Sequence, residues 1–250
     1  MSARLHLMGV PIHDVTYEEV IAQVGRWLEE GGHHLIATVN PEFLVMARDD
    51  PSFRAILRQA DLCIPDGIGV LLAARWKRRP LRERVAGSDL VPRLAEEGAR
   101  RGWRFFFLGA APGVAERAAA VLRERFPALQ VVGCYAGSPA VEEEAAIIER
   151  IRAGGAQILL VAYGAPRQER WLARNLARSG ATVGMGVGGT FDFLAGVQRR
   201  APRWMQRLGL EWLYRLLREP WRWRRQLALP RFAALVLTGR DAPPDEGGRR

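Results

Sequence analysis

Short apolar runs recur along the chain, separated by stretches in which apolar residues return every three or four positions. The runs Leu5 to Val10, Leu35 to Thr38, Asp61 to Ile64, Arg104 to Leu108, Leu129 to Tyr135 and Gln157 to Tyr163 read as strands, and Thr182 to Gly189 is glycine-rich. The intervening segments have a helical period. Asp14 to Glu30 places Val20, Ile21, Val24, Trp27 and Leu28 on one face, and Glu42 to Arg48, Pro51 to Gln59, Val114 to Arg125 and Val141 to Arg152 follow the same logic. Asp50 before Pro51 has the form of an N-cap, and Ser88 or Asp89 is expected to cap a helix reaching Arg101. About seven β/α alternations predict an α/β fold, a mainly parallel Rossmann-like sheet flanked by helices on both faces.

Several strand candidates end abruptly in small polar residues. If they are parallel, those exits share the carboxyl edge of the sheet, where open α/β sheets bind ligands. Thr38-Val39-Asn40-Pro41 is one exit and Pro65-Asp66-Gly67 another, with proline fixing the approach to Asp66 and glycine permitting a sharp departure. The same tripeptide also serves as an ordinary turn with a solvated Asp. Gly109 to Gly113 leads from strand to helix and could set backbone N–H groups against phosphate. Gly164 to Glu169 brings Gln168 out at a third exit. Around Gly188-Gly189 a ligand could approach the backbone closely, though tight helix packing would use glycine equally well.

Charge changes the picture at residue 199. The net charge is +10, yet residues 199–250 carry 13 Arg against 5 acids, so the excess belongs to the tail. Trp204, Leu208, Trp212 and Leu216 recur every four residues there, beside Arg207, Arg215 and Arg218, and Pro220 separates them from Trp221-Arg-Trp-Arg-Arg225. Such a segment can pack on the domain, bind nucleic acid or lie in an anionic membrane surface. No nucleic-acid module accompanies it, and Trp with Arg suits the membrane interface best. A second basic cluster, Arg75 to Arg84, reads as a solvated loop or a polyanion site. The expected organisation is an α/β domain over 1–198, a helical membrane-associating appendage over 199–238 and a disordered end over 239–250.

Cys63 and Cys134 lie in apolar stretches without metal or disulfide spacing, and His33-His34 has no partner His nearby. With no signal peptide and no spanning run, a cytoplasmic protein with peripheral membrane contact is expected.

Seven segments together resemble one family. These are T-x-N-P-E at Thr38 to Glu42, A-D-L-C-I-P-D-G-I-G at Ala60 to Gly69, R-V-A-G-S-D-L at Arg84 to Leu90, F-L-G-A at Phe107 to Ala110, G-A-P-R-Q-E at Gly164 to Glu169, G-V-G-G-T-F-D at Gly186 to Asp192, and G-L-E-W-L-Y-R-L-x-x-E-P-W-R-W at Gly209 to Trp223. In this order they resemble the WecG/TagA/CpsF glycosyltransferases. The resemblance implies an inverting, metal-independent transfer of an N-acetylmannosamine-type sugar from UDP to the 4-hydroxyl of N-acetylglucosamine on undecaprenyl diphosphate, at the inner face of the plasma membrane, in surface-polysaccharide or teichoic acid linkage synthesis. By the same resemblance Asp66 is the general base and Thr38 an active-site residue. Gln168 falls at an active-site glutamine, and Arg84, Arg215, Arg222 and Arg225 fall at arginines associated with diphosphate or lipid-linked substrate; the strand exits and glycine turns add Asn40, Gly109 and Gly189 as candidate substrate contacts. No D-x-D metal motif is present, so helix N-termini and Arg would neutralise the diphosphate. No cofactor and no nucleic acid are expected, and the apolar tail face leaves room for a homo-oligomer. The rival readings are a nucleotide-cofactor oxidoreductase, weakened by the lack of G-x-G-x-x-G, and a non-enzymatic membrane adaptor.

Overall fold

The computed structural model describes residues 3–202, 204–205, 211–218 and 223–243, leaving out the side chains of residues 3, 4, 215, 224 and 225. Six parallel strands form the central sheet in the order β4-β3-β8-β7-β5-β6: β3 is His34–Val39, β4 Leu62–Pro65, β5 Arg104–Gly109, β6 Gln130–Tyr135, β7 Ile158–Ala162 and β8 Val183–Gly186. This is the expected α/β architecture, flanked by helices.

The strands are apolar at nearly every position because both faces are covered, and the two-residue period sorts them between two cores. Leu35, Ala37 and Val39 of β3 face one core with Leu159 and Val161 of β7. Ile36 faces the other, with Ile158, Leu160, Phe105 and Phe107. The first core is covered by α2 (Pro41–Asp49), α3 (Pro51–Gln59) and α8 (Arg167–Ser179), whose Trp171 is fully buried. The second lies beneath α1 (Tyr17–Glu30), α5 (Gly87–Arg101), α6 (Val114–Arg125) and the short α9 (Thr190–Leu194). The helix α7 (Val141–Ala153) lies beside α8 and contributes Ile147 and Ile151 to the first core.

Three boundaries differ from expectation. The N-terminal run is not a strand of the main sheet. Met8 and Gly9 adopt φ of 51° and 76°, and the chain folds back as an antiparallel hairpin, β1 (Ala3–Leu7) with β2 (Val10–His13), which packs on the first core. Helix α1 begins three residues later than Asp14, because Thr16 and Glu19 form a reciprocal capping box. Neither Ser88 nor Asp89 caps α5; the helix starts at Gly87 behind Ala86, with no capping side chain from its own segment.

The tail is tied to the domain more firmly than its composition implied. Helix α12 (Ala228–Leu237) buries Phe232 and Val236 in the first core, against α2 and α4 (Ile68–Trp76). Of residues 239–250, expected to be disordered, only 239–243 are among the described residues; there Asp241 is buried and ion-paired to Lys77 at 2.9 Å, and Pro243 is buried beside Gly9. Two further tail helices are α10 (Glu211–Arg218) and α11 (Trp223–Gln226). Continuity of the expected Trp204-to-Leu216 stripe and the break at Pro220 fall outside the described residues. No helix among the described residues is long and apolar enough to cross a membrane.

Candidate active site

One large cavity of about 1170 Å³ opens at the carboxyl edge of β4, β3, β8 and β7. Its position follows from the topology, since four neighbouring strands release their loops on the same side. Asp66 stands just past β4, where its N–H extends the ladder to the Val39 carbonyl at 2.8 Å and Gly67, at φ 113°, turns the chain into α4. The loop after α4 returns alongside β4, with Val85 N–H bonded to the Pro65 carbonyl at 2.9 Å and Ala86 N–H to the Tyr17 hydroxyl at 2.9 Å. That return presents the start of α5 to Asp66. The Gly87 N–H donates to Asp66 Oδ2 at 3.3 Å.

Burial pushes the Asp66 carboxyl up to about 6; the Gly87 N–H and Arg84 pull it down, while Glu211 and Asp89 push it further up. Helix N-terminus and cation therefore only partly offset desolvation. A carboxylate with this affinity is a competent proton acceptor near neutral pH. Among the described residues no cluster of three His, Cys, Asp or Glu side chains could hold a metal ion.

Most of the other predicted site residues converge here. Thr38 lines the cavity and its hydroxyl donates to the Gly186 carbonyl at 3.3 Å, joining β3 to β8. Asn40 also lines it, but its Oδ1 caps α2 by accepting from Phe43 N–H at 3.0 Å. Gln168 is almost fully buried in the wall, accepting from Gly164 N–H at 3.1 Å and Gly188 N–H at 3.0 Å. Gly189 lies at the rim, although its neighbour Gly188 is the one at positive φ, 50°. Gly109 does not reach the cavity. A Cβ at Gly109 would lie 2.8 Å from the Ala162 carbonyl carbon, so its glycine serves close strand packing. Arg222 lies outside the described residues, as do the side chains of Arg215 and Arg225.

The basic cluster after α4 divides by partner. Arg82 ion-pairs with Asp14 and Glu19, and Lys77 with Asp241, so these two fasten the loop. Arg75, Arg78 and Arg84 line the cavity instead. Arg84 lies 3.6 Å from Asp89, which also pairs with Arg200; Arg200 reaches Glu211 of α10 at 3.4 Å. Sequence reasoning missed this chain and missed Glu211, which lines the cavity. The available signal was a single acid inside an Arg/Trp-rich helix. At the mouth, Leu72 and Trp76 of α4 and Leu237 of α12 are each more than half exposed.

Fold and site define an α/β protein whose cavity at the carboxyl edge of the sheet gathers a buried carboxylate, Asp66, and the cations Arg75, Arg78 and Arg84. Residues 5–244 match the model of the Glycosyl transferase WecG/TagA/CpsF family, and the chain belongs to that family. It is 35% identical, over 84% of its length and 81% of the relative's, to the N-acetylglucosaminyldiphosphoundecaprenol N-acetyl-beta-D-mannosaminyltransferase of Bacillus spizizenii. The protein of the same name from Bacillus subtilis is 34% identical, over 81% and 78% of the two lengths. The chain is a glycosyltransferase, which sets aside the oxidoreductase and adaptor readings.

Proposed function

We propose that the enzyme transfers an N-acetylmannosamine-type sugar from a UDP-sugar to the 4-hydroxyl of N-acetylglucosamine on undecaprenyl diphosphate, with inversion. The observation that carries the chemistry is Asp66, raised to about 6 and opening onto the cavity beside Arg84. Its carboxylate takes the proton of the acceptor hydroxyl as that oxygen bonds to the anomeric carbon. The bond from the anomeric carbon to the β-phosphate oxygen breaks on the opposite face, and UDP leaves with the electron pair. Arg75, Arg78 and Arg84 supply charge for a diphosphate, with Arg215, Arg222 and Arg225 of the tail as further candidates. No metal ion is needed in this scheme. The names of both Bacillus relatives support this acceptor class and sugar.

The mouth suits a bilayer. Leu72, Trp76 and Leu237 surround it, and Trp204, Leu217 and Trp223 are exposed on the tail among its Arg residues. These residues support a peripheral position on the inner face of the plasma membrane, where a lipid-linked acceptor enters from the membrane side. The deciding experiment is incubation with a panel of UDP-sugars and a GlcNAc-diphospholipid, with product mass as readout. A product heavier by one N-acetylhexosamine supports the proposal; no product with any donor overturns it.

A further inference from the structure

Glu169 lies on the first turn of α8, only 1% exposed, behind the cavity wall. Its Oε1 accepts from Gln168 Nε2 at 2.7 Å. Among the described residues its Oε2 meets no partner in another residue. A carboxyl held so deep with half its capacity unused is costly, so its one firm contact calls for a reason.

The reason lies in what that contact does to Gln168. A glutamine amide has a donor end and an acceptor end, and similar shape either way round. Here Oε1 takes the Gly164 and Gly188 N–H groups while Nε2 faces Glu169. Turned over, the side chain would set its NH2 against two N–H donors and its carbonyl against a carboxyl oxygen. Glu169 thus fixes the orientation. Gly186 makes room for it, since a Cβ there would lie 2.5 Å from both Gln168 Nε2 and Glu169 Oε1. The carbonyl of the same Gly186 receives the Thr38 hydroxyl. Burial pushes Glu169 up to about 7, with the Gln168 bond opposing; the carbonyl oxygen accepts from the amide in either protonation state.

We infer that Glu169 is a positioning residue of the transferase: its buried carboxyl orients the Gln168 amide, which clamps the loops leaving β7 and β8 into the cavity wall that adjoins Thr38. The consequence for turnover rests on the function proposed above, whereas the clamp itself does not.

Both halves are tested on the full-length protein with Glu169→Leu and Glu169→Gln. Hydrogen exchange at the Gly164 and Gly188 amides reads the clamp directly. Leu is expected to speed exchange at these two amides selectively, while Gln, which still presents an acceptor, restores protection. In sugar transfer, Leu is expected to lower kcat by about 10- to 100-fold with little change in donor KM, as for a misplaced wall, and Gln to recover most of it. Unchanged exchange in Glu169→Leu, or failure of Gln to restore protection, overturns the clamp. Faster exchange with unaltered kcat overturns the role in transfer. Should the Leu variant not fold, Glu169→Asp keeps the charge but shortens the reach, and the same outcomes apply. Absence of transfer in the unsubstituted protein would count against the reading of the cavity and leave exchange to decide the clamp.

Discussion

Asp66 accepts a hydrogen bond from Gly87, the first residue of a helix to which Asp66 does not belong. One carboxylate thus closes the amino end of α5 and faces the cavity. Asn at this position keeps an acceptor oxygen for the Gly87 N–H but cannot take a proton. Asp66→Asn should therefore fold normally and lose turnover by about 10²- to 10⁴-fold, with donor KM nearly unchanged. Steady-state kinetics at saturating acceptor check this.

The raised proton affinity of Asp66 has two signs to test. General-base transfer needs the carboxylate, so the rate should rise with pH through about 6 and level off above. Stability runs the other way. Between the ordinary value of 3.8 and about 6 the folded protein keeps a proton that the unfolded chain has released, so this group's contribution to stability falls as pH rises through that window. Melting curves of the wild type should decline across it more than those of Asp66→Asn.

Thr38 and Gly87 crowd each other. A Cβ on Gly87 would meet Thr38 Cγ2 at 3.1 Å, and the Thr38 hydroxyl is already committed to Gly186. Gly87→Ala should lower turnover by about tenfold through displacement of the wall. Adding Thr38→Ser removes the offending methyl and keeps the hydroxyl, so the double variant should recover activity relative to Gly87→Ala. A double-mutant cycle measures the coupling.

Arg200 joins two carboxylates from different parts of the chain, Asp89 on α5 and Glu211 on α10. Arg200→Ala removes the link between them, leaving Asp89 only its longer contact with Arg84, and should loosen α10. The expected result is faster proteolysis after residue 200 and a higher KM for the lipid acceptor, with donor KM changed little. Limited digestion and acceptor titration check the two parts.

Phe232 anchors the far end of the tail. It is 5% exposed in the core shared by α2 and α12. Phe232→Ala should cost about 3 to 5 kcal/mol, measured by denaturant unfolding.

The parallel sheet was legible because strands buried on both faces read as continuous apolar runs with glycine or proline at their ends. Asp66, Thr38 and Gln168 were legible for the related reason that exits of parallel strands share an edge. The hairpin was not, because its turn puts Met8 at a positive φ before Gly9, and the run looks like one strand. The capping of α5 by Asp66 was hidden because donor and acceptor are separated by a charged loop whose path no local pattern gives. Glu169 lies within the G-A-P-R-Q-E motif, yet its burial depends on Gly186, a residue of β8. Composition also hides one contact near the end of the chain. Asp241 looks solvated in sequence, and only the fold brings Lys77 to it.

With Phe232 and Val236 seated in the core, the Arg/Trp segment is not a free arm but a closed loop, held near Ala201 at one end and by α12 at the other. A free arm would search a large volume before meeting the cavity; a loop fixed at both ends has already lost most of that freedom at folding. Glu211 and Trp212 of that segment therefore line the cavity without a separate search, before any membrane or lipid substrate arrives.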